Sequence, residues 1–422
     1  MCAAENEPPA TPTTARECPE TPENSDRTKI TLDSPAPRSR FYADIEYLYW
    51  WLKPAPLSVP LVSTGPISTT HHGWLVSSDA TVLYGAPYSP ANGGNDSQAF
   101  SPTSGARLTL GYWLDEDQRF GFEVSGFGLK TETAGYEIRS DSSGYPVINI
   151  PVLNTISYSP TGRPGLPAGG EDGLPASLPD DASRFDGNSG IVEGGVRISN
   201  WIQFWGADAT GVINLYRNAA WNLDGLAGFR YLDLSEQFNL MYDSEGVSDH
   251  YVGMSGRAWD EFATENKFYG GNFGLRARYT EGSLSVELSA CAAPGLSDEV
   301  QRVSGGFFAD NFVSSGSSSG SEGVFAQPAN EGQTSSQRFA IVPDMQFKLG
   351  YELTPWLRAT LGYEFLYYSN VIRPGDQINR EIPKGQTFQQ GKATDSTESP
   401  SRFFKTTDFY AHGLSFGLEF TF

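Results

Sequence analysis

The side chains of this 422-residue chain that could do chemistry are charges set among small or apolar neighbours. Asp44 and Glu46 begin the series. Arg107, Glu123, Asp208, Asp224, Arg230, Arg276, Arg278, Glu287, Asp344, Lys348, Glu352, Arg358, Glu364 and Glu419 continue it, and with Arg338 they make ten acids against seven bases. Strand side chains alternate between faces, so charges flanked by apolar neighbours share one face and can pair across adjacent strands. Two chemistries suit such a face. One is an ion-pair network filling a narrow lumen; the other is a selective, mildly cation-preferring conduit lined by the acids.

Other reactive groups are few. His71 and His72 are adjacent, and adjacent strand residues point apart, which makes a poor metal pair. His250 has Asp243, Glu245 and Asp249 nearby as carboxylate partners for acid–base work, a proximity that chance also produces in loops. His412 falls on an apolar strand face. No Gly-x-Ser-x-Gly elbow, HExxH pair or phosphate loop occurs. The expectation is a protein that is not an enzyme, with no catalytic, cofactor-binding or metal residues and no cofactor. Cys2, Cys18 and Cys291 are too few for a disulfide framework. Cys2 and Cys18 could pair near the N-terminus, and Cys291 reads as a small buried residue.

Strands must position these charges. In residues 408–422, Tyr410, Leu414, Phe416, Leu418, Phe420 and Phe422 share one face, while Ala411, Gly413, Ser415, Gly417, Glu419 and Thr421 share the other. One greasy and one small or polar side, ending on Phe422, is expected of a barrel's closing strand. Its assembly signal would be Leu414, Phe416, Leu418, Phe420 and Phe422. The first strand, residues 41–51, matches it, with Phe41, Ala43, Ile45, Tyr47, Tyr49 and Trp51 opposite Asp44 and Glu46. Between them, strands 106–114, 205–215, 269–279 and 339–353 turn at 115–118, 217–220, 281–282 and 354–355 into 120–124, 221–231, 284–292 and 357–367. Pro343 should interrupt one ladder bond, at a bulge if anywhere. Those turns take about two to four residues and the other connections about 24 to 70, the sidedness of a membrane barrel. Tyr112, Phe120, Trp221, Tyr279 and Tyr351 lie beside the short turns; Tyr49, Trp51, Tyr269 and Tyr367 lie toward the long loops, which makes two girdles. The predicted fold is all-β, a transmembrane up-and-down antiparallel β-barrel of about 10 strands (12 possible), with short periplasmic turns and long extracellular loops. Residues 1–39, rich in Pro, Thr and Glu, are predicted to be a disordered tail, and residues 40–422 the barrel domain.

Composition agrees. The chain is 38% hydrophobic yet 13% aromatic, as when only alternate residues meet lipid. No apolar run is long enough for a membrane helix. A net charge of −21 excludes nucleic acid as an electrostatic partner. Met1 to Glu5 offers neither a basic start nor an apolar stretch, so a signal peptide is expected to be missing from this sequence. The expected partners are outer-membrane lipid and, through the closing strand, the barrel-assembly machinery.

Several stretches also resemble a family: EYLYWWLKPAPLSVPLVSTGP, GARLTLGYWLDEDQRFGFE, LAGFRYLDLSE, RFAIVPDMQFKLGYELTPWLRATLGYEFLYYSNVIRPGDQINR and TDFYAHGLSFGLEFTF. In this order they are similar to the putative beta-barrel porin type 7 family of bacterial outer-membrane proteins. The resemblance implies a barrel in the bacterial outer membrane with a porin-like role, structural or passing small solutes to a limited extent. Surface binding or adhesion through the long loops is the alternative, and an outer-membrane hydrolase a further one. The resemblance brings no catalytic residues with it.

Overall fold

A residue that alternates between lipid and lumen every step can satisfy both only as a strand, and its amides only in a ladder without edges. The computed structural model describes residues 39–66, 73–155, 170–180, 189–311, 316–383 and 399–422. Ten strands form a ring: β1 (Phe41–Leu52), β2 (Thr103–Trp113), β3 (Phe120–Leu129), β4 (Val192–Arg217), β5 (Trp221–Gly246), β6 (Ser255–Glu281), β7 (Leu284–Asp310), β8 (Gly332–Thr354), β9 (Leu357–Ile372) and β10 (Thr406–Thr421). Each pairs antiparallel with the next, and β10 closes on β1 in continuous register from Tyr42↔Thr421 to Leu52↔Ala411. The predicted fold class is the one observed. The tail expected over residues 1–39 falls almost wholly outside the described residues, as do Cys2, Cys18, His71 and His72.

Outward-facing residues divide the ring into a membrane band and an outer extension. Leu108, Leu275, Phe347, Leu361 and Leu418 are exposed on the band. Its outer border runs through Trp51, Trp205, Tyr231, Tyr269 and Phe339 and its inner border through Tyr112, Trp221, Tyr279 and Tyr351, with Trp221 on Tyr279 and Tyr231 on Tyr269 as ring pairs. From Tyr269 to Tyr279 the chain descends about 34 Å along the strand, or roughly 25 Å at the usual tilt of a barrel strand. That is the height of an outer-membrane apolar band.

Beyond the band the structure departs from the sequence reading. Strands of 11 to 15 residues were expected. Instead β4 and β5 have 26 residues, β6 and β7 have 27, and β8 has 23. Residues 232–246 and 255–268, read as loop, are paired strand joined by the short connection 247–254. Residues 131–200, read as loop in which 191–198 could hide a strand, contain Glu132–Arg139, which continues the line of β3 along β4, and β4 itself begins at Val192. The long connections fold too. Gly170–Ser177, Ile148–Asn154, Pro60–Thr64 and Thr81–Gly85 form a small sheet in that order, with Glu381–Ile382 added parallel to Ile148–Asn154. Leu61, Ile150, Val152 and Leu174 of this sheet pack with Ile198, Phe238, Tyr242, Phe262 and Phe307 from the extended strands.

Pro343 interrupts a ladder, and the nearby register shift lies not in β8 but in β9, between Tyr368 and Val371 where that strand pairs with β10. The β7–β8 register runs unbroken through Ala292↔Pro343, whereas β8 pairs with β9 only from Asp344 onward. Lacking an N–H, Pro343 marks the end of that ladder. Side chains take over above it: the Ser369 hydroxyl accepts from the Ile341 amide at 2.8 Å, and the Asn370 amide donates to the Phe339 carbonyl at 2.9 Å.

Candidate functional site

Most charged residues predicted for the lumen point inward along the membrane-facing half of the ring, where they pair with one another. Arg107 reaches Glu46 at 3.3 Å and Glu364 at 2.6 Å. Lys348 bridges Asp44 at 2.9 Å and Glu46 at 3.0 Å. Arg230 holds Asp208 at 2.7 Å and also pairs with Asp344. Arg276 meets Glu123 at 2.7 Å and Asp224 at 3.6 Å, and the Tyr42 hydroxyl donates to the same Glu123. Arg278 joins Glu287 at 2.7 Å and Glu419 at 3.0 Å, and Arg358 completes that group on Glu419 at 3.0 Å. Most of these pairs cross the lumen between strands distant in sequence. Glu352 lies half-buried near the β8–β9 turn, outside these pairs.

Arg338 has the inward parity of the alternation but sits higher. It is exposed, donates to Glu299 at 3.1 Å and lies over the Phe404 ring. Burial outweighs that partner and pushes the Glu299 carboxyl up to about 7.

Above the charges lies a layer that the sequence reading missed. Leu48, Trp50, Leu52, Leu129, Phe204, Leu232, Leu234, Phe268, Ala293, Ala340, Val342, Leu366, Tyr368, Phe409 and Ala411 form one buried cluster. Nine of the ten strands contribute to it. Rings run through it in sequence, with centroid separations of 5.4 Å for Trp50–Phe127, 5.2 Å for Phe127–Phe204 and 5.2 Å for Phe204–Phe409; Phe268 and Tyr368 sit 5.6 Å apart. The remaining strand, β2, brings the Arg107 guanidinium beneath the Trp50 and Phe127 rings, 5.7 Å from each centroid. This is an apolar septum across the barrel. Its signal was present in the sequence, where strict alternation gives way to the continuous apolar runs YLYWWL and FLYY. Such runs mark strands with an apolar environment on both faces, here lipid outside and the septum inside.

Two buried ion pairs fasten the outer structure above the septum. Arg373 donates to Glu236 at 2.6 and 2.8 Å and to the carbonyls of Pro54 at 2.6 Å and Lys53 at 3.3 Å. Arg380 pairs with Glu171 at 2.6 Å and donates to the Pro151 carbonyl at 3.0 Å. Further out, Asp260 on β6 accepts from the amides of Phe325 at 3.0 Å and Ala326 at 2.8 Å. Its burial pushes the carboxyl up to about 7 in spite of those bonds.

Among the described residues, neither His250 nor His412 converges on a carboxylate or a nucleophile. His412 stacks on Trp51 at the outer border of the band and shares a 3.0 Å hydrogen bond with the Tyr363 hydroxyl. His250 sits in a single helical turn, Asp249–Tyr251, against the ring of Tyr251. Cys291 is half-buried on the inner face as a free thiol.

A family model described as Putative beta barrel porin-7 (BBP7) matches residues 42–422. No curated protein matches the chain. Among solved structures it is similar to the outer membrane protease OmpT of Escherichia coli, with 10% identity and a TM-score of 0.39 over 91% of this chain and 97% of that one. It is also similar to a porin refined at 1.8 Å, with 8% identity and a TM-score of 0.14 over 91% and 99% of the two chains. A third is the toluene transporter TodX of P. putida, with 8% identity and a TM-score of 0.15 over 91% and 90%.

Proposed function

Since the chain belongs to the Putative beta barrel porin-7 family, we propose that it is a non-catalytic barrel of the bacterial outer membrane whose lumen is closed to solutes. It would serve as a rigid membrane scaffold carrying a folded outer structure. The observation behind this reading is the septum of Trp50, Phe204, Phe268 and Phe409 with its aliphatic neighbours. A hydrated ion or polar solute crossing it would shed water against side chains that, the Trp50 indole N–H and the Tyr368 hydroxyl apart, are aliphatic or phenyl and return no hydrogen bonds, a cost of several kcal/mol or more. Below the septum the bases of the lumen are already paired with its acids. Ten strands also lie near the eight that side chains just fill and far from the 16 to 18 of open porins.

The reading as a non-enzyme is supported by the porin family match, and among the described residues neither His412 nor His250 is joined to a base and a nucleophile. We further propose that β10, through Leu414, Phe416, Leu418, Phe420 and Phe422, is the segment by which the assembly machinery takes the chain into outer-membrane lipid.

The test is planar-bilayer recording of the folded protein. Wild type is expected to be silent, and the combined Phe204→Ala, Phe268→Ala and Phe409→Ala variant to leak. Stable openings in wild type would overturn the closed-lumen reading and favour a conduit lined by the acids. Loss of silence on Arg276→Ala with Arg278→Ala alone would place the seal in the ion pairs instead of the septum.

A further inference from the structure

On the outward face of the extended strands, well clear of the membrane band, Trp259 is 42% exposed. It stands ten residues beyond Tyr269, about 34 Å further along β6. Lys267, Glu265 and Arg302 lie between, with Glu265 pairing with Lys267 at 3.0 Å and Arg302 at 2.7 Å, so this ring does not meet lipid. The indole lies across Gly306 of the neighbouring strand, where a Cβ would come within 2.2 Å of the ring. A bare glycine therefore forms the floor of the platform.

The register arranges polar groups around it in rows. Trp259 is level with Met241, which is level with Arg197. One row outward are Asp243, Arg257 and Phe308, with Asp243 held by Arg139 at 2.6 Å. One row inward are Ser199, Asn239, Glu261 and Ser304. Arg197 is itself paired with Glu137 at 2.7 Å. Around the indole the patch holds three arginines and three acids, two of each paired, so it is balanced although the chain as a whole carries −21.

We propose that this face binds a neutral saccharide chain by stacking a sugar ring on Trp259. A pyranose presents one face of C–H groups, which suits an exposed aromatic plane, and a rim of hydroxyls, which needs planar donors and acceptors at its edge. Arg257, Glu261 and Asn239 supply them. Charge balance argues for an uncharged ligand over an anionic or cationic polymer. Met241, Trp259 and Phe308 are too few apolar side chains for a stable protein partner, which buries about 800 Å² per side. The proposal goes beyond the closed-lumen reading, and lumen conductance has no bearing on it.

The experiment is calorimetric titration of the full-length protein in detergent with cellohexaose, maltohexaose and mannohexaose. Wild type is expected to bind at least one saturably, and Trp259→Ala to weaken that binding about tenfold or more. Trp259→Phe should retain most of it. Gly306→Val, which lifts the ring without removing it, should weaken binding while heat-modifiable gel mobility stays that of a closed barrel. Failure of wild type to bind any of the three, or equal binding by Trp259→Ala, overturns the proposal. So does a concentration-dependent dimer that Trp259→Ala abolishes, which would make the occupant a second copy.

Discussion

Arg373 is completely buried, and every direction its guanidinium faces is accounted for: the Glu236 carboxylate, two backbone carbonyls and the ring of Phe409. Burying such an ion costs several kcal/mol unless its partners are all in place, and removing one partner strands the other. Arg373→Leu is therefore expected to lower stability by about 3–5 kcal/mol by leaving Glu236 charged and alone. Adding Glu236→Leu should recover much of the loss. Urea unfolding in lipid vesicles reads both, and an equal deficit in single and double variants would mean that packing matters here and the charge does not. On the opposite face of the wall the reasoning is about lipid. Leu361 is exposed in mid-band, so Leu361→Arg should cost about 2–4 kcal/mol. Gly362, one residue on, faces the lumen and has the Ser415 hydroxyl against it, where a Cβ would come within 2.4 Å. Substitution there is limited by space instead of depth. Folding of Leu361→Arg at wild-type yield and stability would invert the two faces.

At the scale of elements, the strands were legible wherever two environments impose alternation. Residues 344–352 show it, with Met345, Phe347, Leu349 and Tyr351 outward and Asp344, Gln346, Lys348 and Glu352 inward. Beyond the girdle, β5 goes on alternating through Leu232, Leu234, Glu236, Phe238, Leu240 and Tyr242. That pattern was readable but exceeds what a membrane requires, and membrane length set the expected stop. In β6 the signal itself is weak, because Asp260, Thr264 and Asn266 point inward while Trp259 points out. Buried polar residues there have partners that only the folded loops supply. Asp260 fixes the β7–β8 connection by accepting the Phe325 and Ala326 amides, and Gly323 gives it room, since a Cβ there would come within 2.0 Å of its carboxylate. Burial raises its pKa from 3.8 to about 7, with the nearby Glu331 adding to the effect. The folded state then binds the proton more tightly than the unfolded one. Docking of this connection is strongest below pH 4, weakens as pH rises toward 7 and is level above it. Hydrogen exchange at Phe325 and Ala326, corrected for intrinsic rate, should show falling protection over that range. Asp260→Asn keeps an acceptor without the titration and should flatten the profile. A flat wild-type profile would mean that the carboxyl does not titrate in this range.

For the whole molecule, closure is the condition on which everything else depends. The septum went unread because its residues come from strands far apart in sequence, and only the closed ring brings Trp50, Phe204 and Phe409 together. The charged layer depends on closure in the same way: Glu419 on β10 answers Arg278 on β6 and Arg358 on β9. Strand β10 therefore does more than complete the wall. Its last residues pair on one side with Tyr42 to Ile45 and on the other with Leu357 to Ala359. Deleting Leu418 to Phe422 removes both ladders at the inner border and leaves Arg278 and Arg358 without Glu419. Each amide opened to lipid costs several kcal/mol, more than a folded domain's net stability once a few are exposed. The truncated chain is expected to fail to close, to be missing from the outer membrane and to lose the gel shift between boiled and unboiled samples that a closed barrel gives. Glu419→Gln separates the two causes. It weakens the ion pairs and keeps the ladder, so it should close normally with only modestly reduced stability. Normal membrane levels and normal mobility for the truncation would mean that β9 and β1 can seal the wall without the end of β10, and the ring described here would not be the one that forms in the membrane.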